Sequence, residues 1–249
     1  MEFKRVTLDN IDEEHICCAI SEKKGEHCVS SKKTWLKERM QEGLVFDKLD
    51  VRGKVFIEYL PAEAAWAPVH ADNYMFIDCL WVSGQFHGQG YASALLKRCI
   101  EDSKQKGKDG IVVISSKGKK PFLSDAKFFL HQGFVKADDA APYYELYYLP
   151  FHDQAMVPCF CEPAKNGSIQ ESGFVIYYTA QCPHTAKYVP LLVESQLQQG
   201  IKIKAIEITS CEEAKNAPAA VCTYAIFKDG NLLTNEILND KSFQKWKDK

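Results

Sequence analysis

Tyr74-Met75-Phe76-Ile77-Asp78-Cys79-Leu80-Trp81-Val82, then Ser83-Gly84-Gln85-Phe86-His87-Gly88-Gln89-Gly90, then Tyr91-Ala92-Ser93-Ala94-Leu95-Leu96 is the stretch that decides the fold. The first part is strongly apolar and reads as a buried strand, and the middle is a glycine-rich turn. From Tyr91 to Lys106, Ala94, Leu95, Cys99 and Ile100 recur at helical spacing and predict a helix that stops before Gly107. A strand turning tightly into a helix points several backbone N–H groups at one spot, where the positive end of the helix dipole favours an anion. Gly88 and Gly90 permit positive φ and close approach of a ligand oxygen to the backbone. Such a nest suits a pyrophosphate. A dinucleotide fingerprint would instead read G-x-G-x-x-G with an acid closing the next strand, and here that strand ends Ile114-Ser115-Ser116, which disfavours NAD.

Working outward, Phe3 to Leu8 reads as a first strand, Asp9 to Val29 as weakly helical, and Ser30 or Ser31 as the cap of a helix through Trp35, Leu36 and Met40 that Gly43 stops. Leu44 to Leu49 and Lys54 to Leu60 make a hairpin across Asp50, Arg52 and Gly53. On the other side, Ile111 to Ser115 is a buried strand, Ser124 or Asp125 opens a short helix ending at Gly133, and Tyr143 to Leu149 is a tyrosine-rich last strand. Met156 to Gly173, with Pro158, Pro163, Asn166 and Gly167, reads as a linker or cover segment. Strand Phe174 to Thr179, helix His184 to Gln199, strand Lys202 to Thr209, a short helix near Glu212 and a hairpin around Asp229-Gly230 then form a βαβ-ββ module. The predicted division is 1–153, a 154–173 linker or cover, and 174–249.

The chain has 249 residues, 46% of them hydrophobic, enough for two modest cores. Lys and Arg number 21 against 23 Asp and Glu through Asp153, and 10 against 10 thereafter, so neither half carries the positive excess that nucleic-acid binding needs. The charged start (Glu2, Lys4, Arg5) and the absence of a long uncharged apolar run predict no membrane span and a cytoplasmic protein. Ten scattered cysteines fit reduced, mostly buried thiols.

The order of elements and the Q-x-x-G-x-G pattern of Gln85, Gly88 and Gly90 resemble the GNAT superfamily of acetyltransferases over about residues 1–150. Lys127-Phe128-Phe129-Leu130-His131-Gln132-Gly133-Phe134 resembles that family's short helix ending in Gly-Phe. The resemblance implies a mixed α/β fold and acetyl-CoA as cosubstrate. It implies pantetheine pairing with the backbone of Leu80, Trp81 and Val82, and the pyrophosphate on Gln85, Phe86, His87, Gly88, Gln89, Gly90, Tyr91 and Ala92, with Ser93 assisting. The implied reaction is direct transfer of an acetyl group to a primary amine of a small molecule or peptide. Asp78 is the nearest match to the family's base, or it is a polar residue of a solvated strand face. Glu58 and His70 are fallback bases. The family's general acid is a tyrosine at the position Phe129 occupies, so the acid is unassigned, and a thiolate can leave without one. Tyr143, Tyr144, Tyr147 and Tyr148 read as packing rather than as acids. A homodimer is the candidate assembly.

Residues 174–246 resemble the thioredoxin fold: a strand, the turn Cys182-Pro183-His184-Thr185, a helix interrupted by Pro190, a crossover strand and a hairpin. Cys182 sits where a helix N-terminus favours a thiolate. Thr185 replaces the resolving cysteine and Cys222 the cis-proline, so an ordinary dithiol cycle is not expected, and Cys182 and Cys222 are expected close together. A redox or thiol-carrier protein working through these two cysteines, and a noncatalytic acyl-CoA sensor, are the competing readings. Cys159, Cys161, His184 and Cys211 are a weak zinc pattern, and no metal is expected.

Overall fold

The computed structural model describes residues 2–16 and 19–247. Its first lobe runs β1 (Phe3–Val6), α1 (Cys28–Gln41), β2 (Val45–Leu49), β3 (Val55–Pro61), β4 (Val69–His70), β5 (Tyr74–Val82), α2 (Tyr91–Gln105), β6 (Gly110–Ser116), α3 (Ala126–His131), β7 (Val135–Ala140) and β8 (Tyr144–Pro150). The described residues form a sheet in the order β1-β2-β3-β5-β6-β8-β7, in which β5 and β6 are parallel and every other neighbouring pair is antiparallel.

Two irregularities of this sheet position the site. Pairing of β5 with β6 stops at Ile77 opposite Val113, although β6 continues against β8 to Ser116 and β5 against β3 to Val82. The two strands therefore separate beyond Ile77. Across β3, Glu58 pairs with Cys79 and Tyr59 with Ile77, leaving Asp78 as the extra residue of a β-bulge. The bulge slips the alternation by one, so Phe76 and Cys79 share a face although they are three apart.

One face of the sheet packs Ile57, Met75 and Ile77 against Leu95, Leu96 and Cys99 of α2 and Phe129 of α3. The other packs Phe56, Leu60 and Phe76 against Trp35 and Leu36 of α1, together with Ile208, Ala214 and Cys222 from the far end of the chain. The chain then continues through β9 (Cys159–Phe160), which pairs with β4, α4 (Glu162–Lys165), β10 (Phe174–Tyr178), α5 (Pro183–Gln198), β11 (Ile203–Glu207), α6 (Cys211–Lys215), β12 (Tyr224–Lys228), β13 (Asn231–Thr234) and α7 (Asp240–Trp246). The second sheet has the order β11-β10-β12-β13, with β10 and β11 parallel and the hairpin antiparallel. Its core joins Ile176, Ile226, Val189 and Leu192 of α5, and Phe243 of α7.

The lobes are bonded as well as packed. Gln181 Nε2 donates to the Trp66 carbonyl at 2.7 Å, Lys215 Nζ donates to the Ala62 and Val69 carbonyls at 2.8 and 2.9 Å, Tyr144 donates its hydroxyl proton to Asn235 Oδ1, and Lys187 meets Glu26 at 2.8 Å.

Several local expectations need correction. The described part of Asp9 to Val29 has turns but no helix before Cys28, where α1 begins under an N-cap, His27, that offers no side-chain bond. Cys17 and Cys18 lie outside the described residues. The edge strand β7 was not anticipated, because Val135-Lys136-Ala137-Asp138-Asp139-Ala140 is polar and mostly solvent-facing and carries no apolar alternation. Among the described residues no helix is long and apolar enough to cross a membrane.

Candidate functional site

The bulge, the strand separation and the second lobe meet at a cavity of about 490 Å³. The first lobe supplies Lys54, Phe56, Glu58, Asp78, Cys79 and Trp81, and the second supplies Gln181, Cys182, His184, Thr223 and Glu236 among others. A smaller cavity of about 80 Å³, lined also by Cys222, adjoins it along Asp78, Cys79 and Gln181.

At its floor lies a buried charge cluster. Glu58 is 1% exposed on β3, and Lys32, also 1% exposed, reaches it from α1 with Nζ 2.6 Å from Oε1. The same ammonium lies 4.1 Å from the Trp35 ring centroid. Burying this pair is tolerable only because each charge finds its opposite at contact distance. Asp78 hydrogen-bonds with Glu58, and burial, reinforced by the neighbouring Glu58 charge and opposed by Lys32, holds its carboxyl well above the usual carboxylate range. A carboxyl whose affinity for its proton is raised, in hydrogen-bond contact with a second carboxyl group, is suited to proton exchange with a bound group.

Lys32 was missed in the sequence, yet it left a trace. It falls three and four residues before Trp35 and Leu36, on the stripe that α1 buries. Glu58 was similarly the one acid inside Val55-Phe56-Ile57-Glu58-Tyr59-Leu60, a run buried throughout. The other fallback base, His70, is exposed on β4 and does not line the cavity.

The turn after β5 is built as a cradle. Gly84, Gly88 and Gly90 have φ of 59°, 74° and 79°, and no side chain caps the start of α2. Gln85, His87, Gly88, Gln89 and Gly90 are exposed, whereas Phe86 packs on Tyr91 with centroids 6.2 Å apart and Tyr91 on Phe3 at 6.5 Å. Open space surrounds Gly88 and Gly90, so glycine is favoured there by its φ rather than by lack of room. Along the edge opened by strand separation, the Leu80 carbonyl accepts a 2.8 Å bond from Ser124 Oγ, and Ser124's own carbonyl accepts from Ser115 Oγ at 2.7 Å. Trp81 and Val82 follow, half-buried.

Phe129 is fully buried between Phe128 and Phe134 and faces away from the cavity, on the α2 side of the sheet. Tyr144 and Tyr147 are likewise buried, and burial pushes both phenols well above their ordinary range.

In the second lobe, Cys182 is the N-cap of α5 and lies on the cavity wall. Thr185, at the position of a resolving cysteine, is committed to the backbone, its Oγ1 lying 2.6 Å from both the Thr179 and Cys182 carbonyls. Cys222 carries a free thiol, 3% exposed, whose Sγ donates to the Trp66 carbonyl at 2.7 Å. Burial pushes it up to about 12, which leaves almost no thiolate at neutral pH. Cys211 Sγ donates to the Glu63 and Ala65 carbonyls, Cys159 belongs to β9 and His184 to the cavity, and among the described residues no set of three or more His, Cys, Asp or Glu side chains could hold a metal ion.

Comparison with known proteins places these features in a lineage. The acetyltransferase (GNAT) family model matches residues 10–134, and a YoaP-like model matches residues 202–245. Over 245 residues the chain is 48% identical to the uncharacterized N-acetyltransferase YoaP of Bacillus subtilis (strain 168), covering 98% of each chain. Among solved structures, PaiA N-acetyltransferase of Thermoplasma acidophilum in complex with coenzyme A matches at 13% identity and a TM-score of 0.41, over 61% of this chain and 100% of its own. The ribosomal-protein-S18-alanine N-acetyltransferase of Escherichia coli matches at 12% and 0.40, over 62% and 97%. With one family model spanning half its length and a near-full-length relative at 48% identity, this chain belongs to the acetyltransferase (GNAT) family.

Proposed function

We propose that the protein transfers an acetyl group from acetyl-CoA directly to the primary amine of a small acceptor held in the cavity between the lobes. The observation that carries this is the bulge at Asp78. It brings the Asp78 carboxyl to the cavity, beside the place where β5 and β6 part and on the strand that leads into the glycine turn, which supports a role in proton exchange.

The cradle of Gly88 and Gly90 at the start of α2 suits the pyrophosphate of acetyl-CoA, and the free edge of Leu80, Trp81 and Val82 suits its pantetheine, the Ser124 bond to Leu80 being exchanged on binding. An amine enters as an ammonium and must lose a proton before it can attack. The Glu58–Asp78 pair, held in register by Lys32, accepts that proton in its ionised form. The attacking nitrogen forms the new C–N bond as the C–S bond breaks, the CoA thiolate departs without a tyrosine acid, in keeping with the low basicity of a thiolate relative to an alkoxide, and the second proton of the acylated nitrogen is lost to solvent.

The strand order β11-β10-β12-β13, with Cys182 at the start of α5, supports a thioredoxin-like reading of residues 174–249. In that reading residues 1–153 form the acetyltransferase domain and 154–173 the segment that covers their junction. The second domain serves as the acceptor-side wall, because Thr185 and Cys222 are both committed to backbone carbonyls. The cytoplasm is the setting that supplies acetyl-CoA and keeps such thiols reduced.

Calorimetry with acetyl-CoA on the full chain, followed by an amine screen for CoA release, tests this. Micromolar binding with amine-dependent release is expected. A folded chain that fails to bind acetyl-CoA would overturn it.

A further inference from the structure

Two charged side chains lining the 490 Å³ cavity make no ion pair among the described residues, and they have opposite signs. Lys54, just before β3, is half-buried near His184, and Glu236, just past β13, is half-buried on the second lobe's side. The other carboxyl and imidazole groups facing the cavity are accounted for. Lys32 neutralises Glu58, Asp78 shares hydrogen bonding with Glu58, and His184 is held below its ordinary range by burial and by the Lys54 and Lys187 charges, so it stands neutral. Around these poles the lining is apolar: Phe56, Trp81, Phe122, Val221 and Ile237. A half-buried charge without a partner is costly, and a ligand supplying the opposite charge recovers that cost.

We propose that the acceptor is a free α-amino acid with an apolar side chain, its carboxylate on Lys54 and its amine on the acidic side formed by Glu236 and the Glu58–Asp78 pair. This rests on the acetyltransferase reading above and narrows its substrate class. The opposite unpaired charges select a zwitterion over a simple amine. The apolar walls select its side chain. The second lobe, which contributes Gln181, Cys182, His184 and Glu236 to the wall, encloses a volume suited to a small molecule rather than to a folded protein's terminus.

The full chain is titrated by calorimetry with leucine and phenylalanine and with their decarboxylated counterparts, isoamylamine and phenethylamine. The same four compounds are then assayed for acetyl-CoA-dependent product. Each amino acid is expected to bind and to turn over roughly tenfold or more better than its amine, the size of one charge-assisted contact. In Lys54→Met that preference is expected to collapse toward parity, and Lys54→Arg to restore most of it. Equal or better use of the amines by the wild type, or a preference untouched by Lys54→Met, overturns the proposal. Amine acetylation without an amino-acid preference defeats only this inference. Amino-acid binding without any acetyl transfer defeats the acetyltransferase reading instead.

Discussion

The chain makes the same local turn twice, from β5 into α2 and from β10 into α5, and finishes it in two ways. After β5 the turn is exposed at Gly84, Gln85 and His87 to Gly90, and three glycines hold positive φ; neither α2 nor α5 has a side-chain cap at its start. After β10 the turn is closed. Pro183 removes one N–H, Thr185 ties its hydroxyl to two carbonyls, and Gln181 is fastened to Trp66 across the lobe boundary. The open glycine turn leaves the start of α2 accessible to an anion in the reading proposed above, whereas the residues around the start of α5 are tied to neighbouring backbone.

The largest test of this contrast compares the acidic residue upstream of the open turn with the thiol in the closed one. Asp78→Asn is expected to lower kcat by about 10²–10⁴-fold, the usual range for loss of a general base, and Cys182→Ser by no more than about threefold. Steady-state CoA release measures both, and the reverse ranking would make the second junction the chemical one. Next in size is the cluster that holds Asp78. Lys32→Met leaves Glu58 buried without its counter-charge and is expected to cost about 3–5 kcal/mol in urea unfolding. A loss below about 1 kcal/mol would mean that Glu58 is not ionised there.

Smaller effects separate the turns themselves. Gly88→Val forces a β-branched residue to a φ of 74°, a conformation that costs about 1–2 kcal/mol, and should weaken acetyl-CoA binding roughly tenfold. Thr185→Val should lower stability by about 1–2 kcal/mol and leave the acetyl-CoA Kd unchanged. Equal effects on that Kd would erase the distinction. The finest test is the pH profile. Asp78 must be deprotonated to accept a proton, and its carboxyl is held high by burial and by Glu58, so kcat/KM should rise with pH along a limb above the ordinary carboxylate range. Glu58→Gln removes the repelling charge and frees Lys32 to attract Asp78, so the limb should move to lower pH. A limb that moves up or stays put contradicts the assigned coupling.

The open turn was legible because its signal is local. Apolar strand, spaced glycines and a helix with Ala94, Leu95 and Cys99 on one face lie within one short run, and each follows from backbone sterics and periodicity. The second module was legible for the same reason, its hairpin marked by Asp229-Gly230, both at positive φ in the structure. Asp78 stood out as an acid in an apolar strand, but its orientation did not, because an unbulged strand would have given it the face opposite Phe56 and Trp81. The expected helix in Asp9 to Val29 failed where no apolar stripe supported it, and β7 was lost because an edge strand with one wet face needs little apolar content.

By itself, then, the sequence determined the order of the main strands and helices apart from β4, β7, β9, α4 and α7, the glycine turn, the family resemblance and the absence of a tyrosine at position 129, all matters of residue type and short-range spacing. The tertiary structure alone decided that Lys32 from α1 answers Glu58 from β3, that a bulge sets Asp78 beside them, that Cys222 bonds to Trp66, and that Lys54 and Glu236 line one cavity from separate lobes. These groups lie 20 to 182 positions apart in the sequence. Nothing in a local window constrains such pairs, because they are fixed only when the two sheets close on a common core.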